Sequence, residues 1–194
     1  MRCYILVGGE SRRMGRPKAL VPFGGSTFFD RLVDAALPVA EEVVAVQRHG
    51  GASLPRIRTL FEPPHQEHAP IFGVAAALRD AGGRCFIVAV DYPLMTAAAL
   101  RELLAAAERS PRPLVVPNWH GWPQMLCAGY DPSLLPSIEA RIAARRFDLR
   151  GLLDDARAEM IAEAELRARL AGEPLMNVNT PQELEEAREH DERP

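Results

Sequence analysis

Residues 85–90 read CFIVAV, six apolar positions with no polar side chain among them. A run that short and rich in β-branched residues suits a strand covered on both faces. Two-sided burial of a strand calls for helices above and below the sheet. The first half of the chain supplies them. CYILV (3–7), EVVAVQ (42–47) and IRTLF (57–61) read as further short strands. Between and after them lie segments of helical period over 27–37, 70–81 and 97–109, each with apolar residues on one stripe. These stripes are Phe29, Leu32, Val33 and Ala36, then Ile71, Val74, Ala75 and Leu78, then Leu100, Leu103, Leu104 and Ala107. Ser26 or Thr27 suits the N-cap of the first helix, Pro70 the first turn of the second, and Thr96 the N-cap of the third. Strands alternating with helices predict an α/β fold with a mostly parallel sheet and right-handed crossovers.

The second half is less regular. Residues 114–117 (LVVP) and 124–130 (QMLCAGY) read as two strands joined by the turn NWHGW, a hairpin extending the sheet. Helices are expected near 133–145, 149–155 and 181–189. The chain of 194 residues suits one domain, with its C-terminal third folded over the open end of the sheet.

A formal net charge of −3 gives no broad basic face, so duplex nucleic acid is excluded as the main partner and any anion site must be local. No run approaches the ~20 apolar residues of a membrane span, and the first one, Cys3 to Val7, is too short for a signal peptide. Cys3, Cys85 and Cys127 are widely spaced in apolar runs, with no CxxC pair. They are expected to be buried reduced thiols, which suggests a cytoplasmic protein.

In an open parallel sheet, ligands sit beyond the carboxyl ends of the strands. Two features fall there. After the first strand comes LVGGESRRMGRPKAL (6–20), where Gly8 and Gly9 precede Arg12, Arg13, Arg16 and Lys18. Glycines let backbone amides approach an anion, and arginine grips phosphate oxygens in pairs. The stretch is neither a GxxxxGK[ST] loop nor a GxGxxG fingerprint. The other feature is Asp91, which ends CFIVAV and suits a carboxylate holding Mg2+ against nucleotide phosphates. A solvated basic loop and a turn-forming aspartate are the plainer readings of the same residues.

The loop resembles the LxGGxSxRMGxxK signature of the α/β nucleotidyltransferases that move an NMP group from an NTP onto a phosphate. VDYPLM (90–95) is similar to their metal-binding Asp-x-Pro segment. APIFGVAAAL (69–78), GWPQMLCAGYDPSLLPSIE and NVNTPQEL (177–184) resemble segments of the molybdenum cofactor guanylyltransferase (MobA) family. The resemblance covers nearly the whole chain. It implies one nucleotidyltransferase domain over 1–194, Rossmann-like and three-layered (α/β/α), of the nucleotide-diphospho-sugar transferase-like kind. The N-terminal half would bind nucleotide and the C-terminal part would complete the acceptor site.

The implied reaction transfers GMP from GTP to molybdopterin with Mg2+, releasing pyrophosphate. Molybdenum insertion proteins and molybdoenzyme chaperones are the further partners implied. Carried over by position, Leu6, Val7, Gly8, Gly9, Arg13, Gly15, Lys18, Glu62, Gly73 and Asp91 would contact nucleotide. Arg13, Lys18 and Asp91 would be catalytic, Asp91 would bind the metal, and Asn177 and Asn179 would line the acceptor side. Glu62 takes the place of a family Asp, Val7 of an Ala and Ala69 of a Gly. Pro17 replaces the Asp common before the lysine in guanylyltransferases, which brings GRPKAL closer to the cytidylyltransferase branch, whereas FGVAAAL and NVNTP fit the guanylyl branch. A cytidylyltransferase, another MobA-like NTP transferase, or an inactive nucleotide-binding or cofactor-delivery protein are the alternatives.

Thr180-Pro181 is expected to start the last helix. His65 and His68 are expected as solvated loop histidines, and Arg141, Arg145 and Arg146 as a solvated helix face. Trp119 and Trp122 suit either a stack on a pterin or the packing of a hairpin.

Overall fold

The computed structural model describes residues 1–8, 17–51 and 54–191. In chain order the first half holds β1 (Arg2–Leu6), a 3-10 turn at Lys18–Leu20, β2 (Pro22–Phe23), β3 (Ser26–Thr27), α1 (Phe28–Ala36), β4 (Val43–Gln47), β5 (Arg58–Phe61), α2 (Pro70–Ala81), β6 (Cys85–Ala89) and α3 (Ala97–Arg109). The second half holds β7 (Leu114–Trp119), β8 (Trp122–Pro123), β9 (Cys127–Tyr130), α4 (Leu135–Ala143), α5 (Leu152–Asp155), β10 (Glu159–Ile161), α6 (Glu163–Arg167) and α7 (Pro181–Asp191).

The main sheet runs β10–β7–β9–β6–β1–β4–β5, with β8 paired to β7. β1 lies parallel to both neighbours, so that Cys3 faces Val43 on one side and Phe86 on the other. Because side chains alternate along a strand, each buried strand feeds two cores. Cys3, Ile5, Val43, Ala45, Phe86 and Val88 pack with Phe28, Leu32, Leu100 and Leu103 of α1 and α3. Tyr4, Leu6, Val44, Val46, Cys85 and Ile87 pack with Ile71, Val74 and Leu78 of α2 and Ile138 of α4. The result is a Rossmann-like three-layer α/β/α arrangement with a mostly parallel sheet.

Local signals agree with the helix starts. Thr27 Oγ1 accepts from Asp30 N at 3.1 Å, and Thr96 Oγ1 accepts from Ala99 N at 3.1 Å. Pro70 opens α2, and Gly82, with φ of 65°, closes it in the left-handed region. At α7, Thr180 Oγ1 accepts from Glu183 N while Glu183 Oε2 accepts from Thr180 N, a reciprocal capping box. All three cysteines are free and buried, and burial pushes the Cys3 and Cys85 thiols up to about 12.

The second half bears out one expectation and corrects others. The turn at His120-Gly121 closes the β7–β8 hairpin, with Trp119 opposite Trp122, and the antiparallel pairing continues from β7 into β9, as the sequence predicts. This antiparallel pair extends the sheet beyond β6, with β9 next to β6 and β7 outside it. In β9, Cys127, Ala128 and Tyr130 are fully buried, the first in the core beneath α1 and α3 and the other two in the core beneath α2 and α4. The helix expected over 149–155 is confined to Leu152–Asp155, and β10, α6 and the β2–β3 hairpin had no counterpart in the sequence reading. Arg141 is not on a solvated face: it is 7% exposed, and its guanidinium donates to Asp148 O, Asp148 Oδ2 and Asp155 Oδ2. Trp119 is a core residue whose Nε1 donates to Glu173 at 3.0 Å, so it is not a surface for a ligand to stack on.

Candidate active site

The carboxyl ends of β1, β4 and β6 meet at one edge. Val7 N donates to Val46 O at 2.9 Å, and Val90 N donates to Leu6 O at 3.0 Å, so the pairing continues just past β1 and β6. Asp91 therefore leaves the most buried strand on a rigid backbone. Its carbonyl accepts from Val178 N at 2.9 Å, which draws the segment before α7 across the same edge.

Four side chains form one hydrogen-bonded line there. Lys18 Nζ lies 2.9 Å from Asp91 Oδ1 and 2.7 Å from Asn179 Oδ1. Asn179 Nδ2 in turn donates to Asn177 Oδ1 at 2.6 Å. The amide orientations follow from this network, since an ammonium can only donate. Pro17 opens the tight turn at Lys18–Leu20, where Leu20 N donates to Pro17 O, and this aims the lysine back over the edge. Burial raises the Asp91 carboxyl above its ordinary range, and Lys18 pulls it back down.

Beside Asn177 opens a cavity lined by Tyr92, Gln124, Met125, Phe147 and Arg150. Tyr92 OH donates to Gln124 Oε1 at 3.0 Å, and Arg150 lies over the exposed Trp122 ring at 4.7 Å. None of the four polar or aromatic residues Tyr92, Gln124, Phe147 and Arg150 stood out in the sequence. Their positions on separate loops and strands leave no spacing to read.

On the opposite side of β1 stands Glu62, the first residue past β5, with 8% exposure. Its backbone N donates to Gln47 O at 2.9 Å, which sets it at the end of β4. A Cβ placed on Gly73 would lie 3.0 Å from Glu62 Oε1 and 3.1 Å from Leu6 Cδ2, and one on Gly8 would lie 3.7 Å from the same oxygen. The glycines thus let Leu6 and the Glu62 carboxylate pack directly against the start of α2. His65 is not a solvated loop residue: its Nε2 lies 2.7 Å from Glu62 Oε2 and its ring stacks on Phe72. His68 is the more exposed of the two and meets Arg48.

The structure brings Leu6, Gly8, Glu62 and Gly73 together at one end of this edge, and Lys18, Asp91, Asn177 and Asn179 at the other, with Val7 between. Gly9, Arg13 and Gly15 lie outside the described residues, as do Arg12 and Arg16. Among the described residues no cluster of three or more His, Cys, Asp or Glu is shaped to hold a metal, and no helix is long and apolar enough to cross a membrane.

A parallel α/β sheet with a cation, a carboxylate and glycine-bared backbone at its switch-point edge defines a Rossmann-like transferase of the kind that handles nucleoside triphosphates. The chain belongs to the MobA-like NTP transferase domain family, which matches residues 3–161. It is 32% identical over 186 residues to a probable molybdenum cofactor guanylyltransferase of Carboxydothermus hydrogenoformans, covering 93% of this chain and 91% of that one. It is 31% identical over 207 residues to the molybdenum cofactor guanylyltransferase of Sinorhizobium fredii, covering 97% and 91%. Among solved structures, molybdopterin-guanine dinucleotide biosynthesis protein A of Archaeoglobus fulgidus superimposes with a TM-score of 0.85 at 26% identity, over 97% of each chain.

Proposed function

We propose that this protein is a cytoplasmic molybdenum cofactor guanylyltransferase, a single nucleotidyltransferase domain that transfers GMP from GTP to molybdopterin and releases pyrophosphate. One observation carries the reading: Asp91, Lys18, Asn179 and Asn177 form a continuous hydrogen-bonded line that runs to the mouth of a cavity. The names of the two relatives above, a probable and a named molybdenum cofactor guanylyltransferase, support the substrate pair.

In this reading the nucleoside end of GTP lies along Leu6, Val7, Gly8 and Gly73, with Glu62 as a hydrogen-bond acceptor. The phosphates lie toward Lys18. An ammonium carries three donors, and two are taken by Asp91 and Asn179, which leaves one for a phosphate oxygen. Arg13, Gly9 and Gly15 join the phosphate grip on the strength of the sequence signature alone. Molybdopterin sits in the cavity, with Asn177 and Asn179 holding its phosphate beside the α-phosphate of GTP. Its nucleophile is already an anionic oxygen, so no general base is required, and positioning and charge stabilisation carry the rate.

Asp91 suits Mg2+ as a lone protein ligand, because that ion characteristically takes one or two carboxylates and completes its shell with phosphate oxygens and water. When bound, the ion would offset negative charge on the nucleotide phosphates. Lys18 performs the same service from the protein side, and its 11% side-chain exposure keeps that interaction out of bulk solvent.

The test is calorimetric binding of GTP and CTP with Mg2+, followed by pyrophosphate release with molybdopterin. GTP preference with turnover supports the proposal. Preference for CTP moves the protein to cytidylyl transfer, and binding without turnover points to a nucleotide-binding or delivery role.

A further inference from the structure

The Glu62 carboxylate is held by a histidine that the signature does not include. His65 Nε2 lies 2.7 Å from Glu62 Oε2, and His65 Nδ1 lies 2.7 Å from the Glu67 carbonyl oxygen. A carbonyl oxygen only accepts, so Nδ1 carries a proton. The short contact between Nε2 and Oε2 is then closed by a second proton, shared between imidazole and carboxylate. The ring is locked in this pose. It stacks on Phe72 with centroids 3.8 Å apart and planes at 14°, and both the His65 and Glu62 side chains are 9% exposed. Arg48 Nη2 donates to His65 O at 2.7 Å and fixes the backbone, while the Glu67 carboxylate is engaged by Arg145.

With Oε2 so held, Oε1 lies beside the backbone of Gly8 and Gly73, where an added Cβ would stand 3.7 and 3.0 Å from it. We infer that His65 is a positioning residue for nucleotide binding: it clamps one oxygen of Glu62 so that the other is presented to an N–H or O–H of the nucleoside. This rests on the reading of Glu62 as a nucleotide contact. A free glutamate samples several rotamers and loses that freedom on binding, whereas a clamped one is already in place. His65 touches neither substrate nor the reacting atoms, and its contribution is to ground-state affinity.

The experiment is a mutant cycle read by GTP calorimetry with Mg2+ and by steady-state kinetics. His65→Phe keeps the aromatic stack and removes the proton. It is expected to raise the Kd and KM for GTP about tenfold with kcat little changed. His65→Gln retains a side-chain N–H donor and is expected to recover most of the affinity. In a Glu62→Gln background, His65→Phe is expected to add almost nothing, because the two residues act through one carboxylate. An unchanged GTP affinity in His65→Phe, or an equal loss in both backgrounds, overturns the inference, since packing alone would explain it. The 15N spectrum of the wild-type imidazole supplies a reading independent of nucleotide and of whether His65→Phe folds. A hydrogen-bonded Nε2–H that is lost in Glu62→Gln supports the clamp, and its absence in wild type overturns it. If the clamp is present but the wild type binds no nucleoside triphosphate, the functional reading fails, and the role of His65 in binding fails with it.

Discussion

Lys18 Nζ and Asp91 Oδ1 lie 2.9 Å apart, a cation from the loop after β1 paired with an anion from the loop after β6. β1 and β6 are adjacent and parallel, so their carboxyl ends deliver the two groups side by side. The ammonium offsets part of what burial costs the carboxylate.

Asp91→Asn is expected to separate stability from turnover. Burial raises the Asp91 carboxyl, with Lys18 opposing. For a group raised in the folded state, the stabilising contribution is present below its unfolded value and is lost as pH rises through the folded one. The contribution of the Asp91 carboxyl to the fold therefore diminishes as pH rises. Pyrophosphate release should fall at least about a hundredfold, while the Tm at neutral pH should not fall below that of wild type. A variant that melts lower and turns over normally would remove Asp91 from the site.

Lys18→Met leaves that carboxylate buried without its cation. The kcat is expected to fall by about 10²–10³, the scale of losing one preorganised donor at a charged transition state. Lys18→Arg should recover little, because a planar fork cannot reproduce the point charge shared by Asp91 and Asn179. Single-turnover kinetics at saturating GTP distinguish this from a loss of affinity.

Gly73→Ala sets two effects against each other. Alanine in a helix interior gains about 1 kcal/mol over glycine, but its Cβ would stand 3.0 Å from Glu62 Oε1 and 3.1 Å from Leu6 Cδ2. A shift of a few tenths of an ångström relieves both contacts at a cost of similar size. Thermal stability should stay close to wild type, while the KM for GTP rises if the displaced Glu62 and Leu6 atoms hold the nucleoside as proposed. A large loss of Tm with unchanged KM would show that the crowding is only structural.

Asp80 predicts an acid limb to stability. Hydrogen bonds from Arg58 above all, together with one from Tyr4, hold its carboxyl below the usual range, against the effect of burial. The contribution is present above the ordinary aspartate value and is lost as pH falls through the depressed one. Tm profiles of wild type and Asp80→Asn should therefore stand apart near neutrality and converge in strong acid. Parallel curves down to the lowest pH would show that the Tyr4–Asp80–Arg58 contacts contribute nothing measurable.

Much of the architecture was legible in residue order because it is local. CFIVAV, CYILV and VVAV are continuous apolar runs, the pattern that two-sided burial of a strand imposes. The helix stripes and the caps at Thr27, Thr96 and Thr180 lie within a turn of the backbone they serve. The Gly24-Gly25 turn of the β2–β3 hairpin carried a similar local signal, with φ of 54° and 77°, and could have been read in advance. At the site, Lys18, Asp91, Asn177 and Asn179 belonged to the sequence signature, and each proved to sit at the edge where the parallel sheet places ligands.

What the tertiary structure decided were relationships between segments far apart in the chain. The position of β9 between β6 and β7, the burial of Arg141 between Asp148 and Asp155, and the cavity walled by Tyr92, Gln124, Phe147 and Arg150 all depend on packing. The same holds for His65. In the sequence it is a polar residue in a proline-bounded loop, and the fold makes it the clamp on Glu62 by stacking it on a helix that begins five residues later. Periodicity records which face of a segment is covered. It carries no record of which other segment covers it, and that partner determines whether a charged side chain is solvated or held.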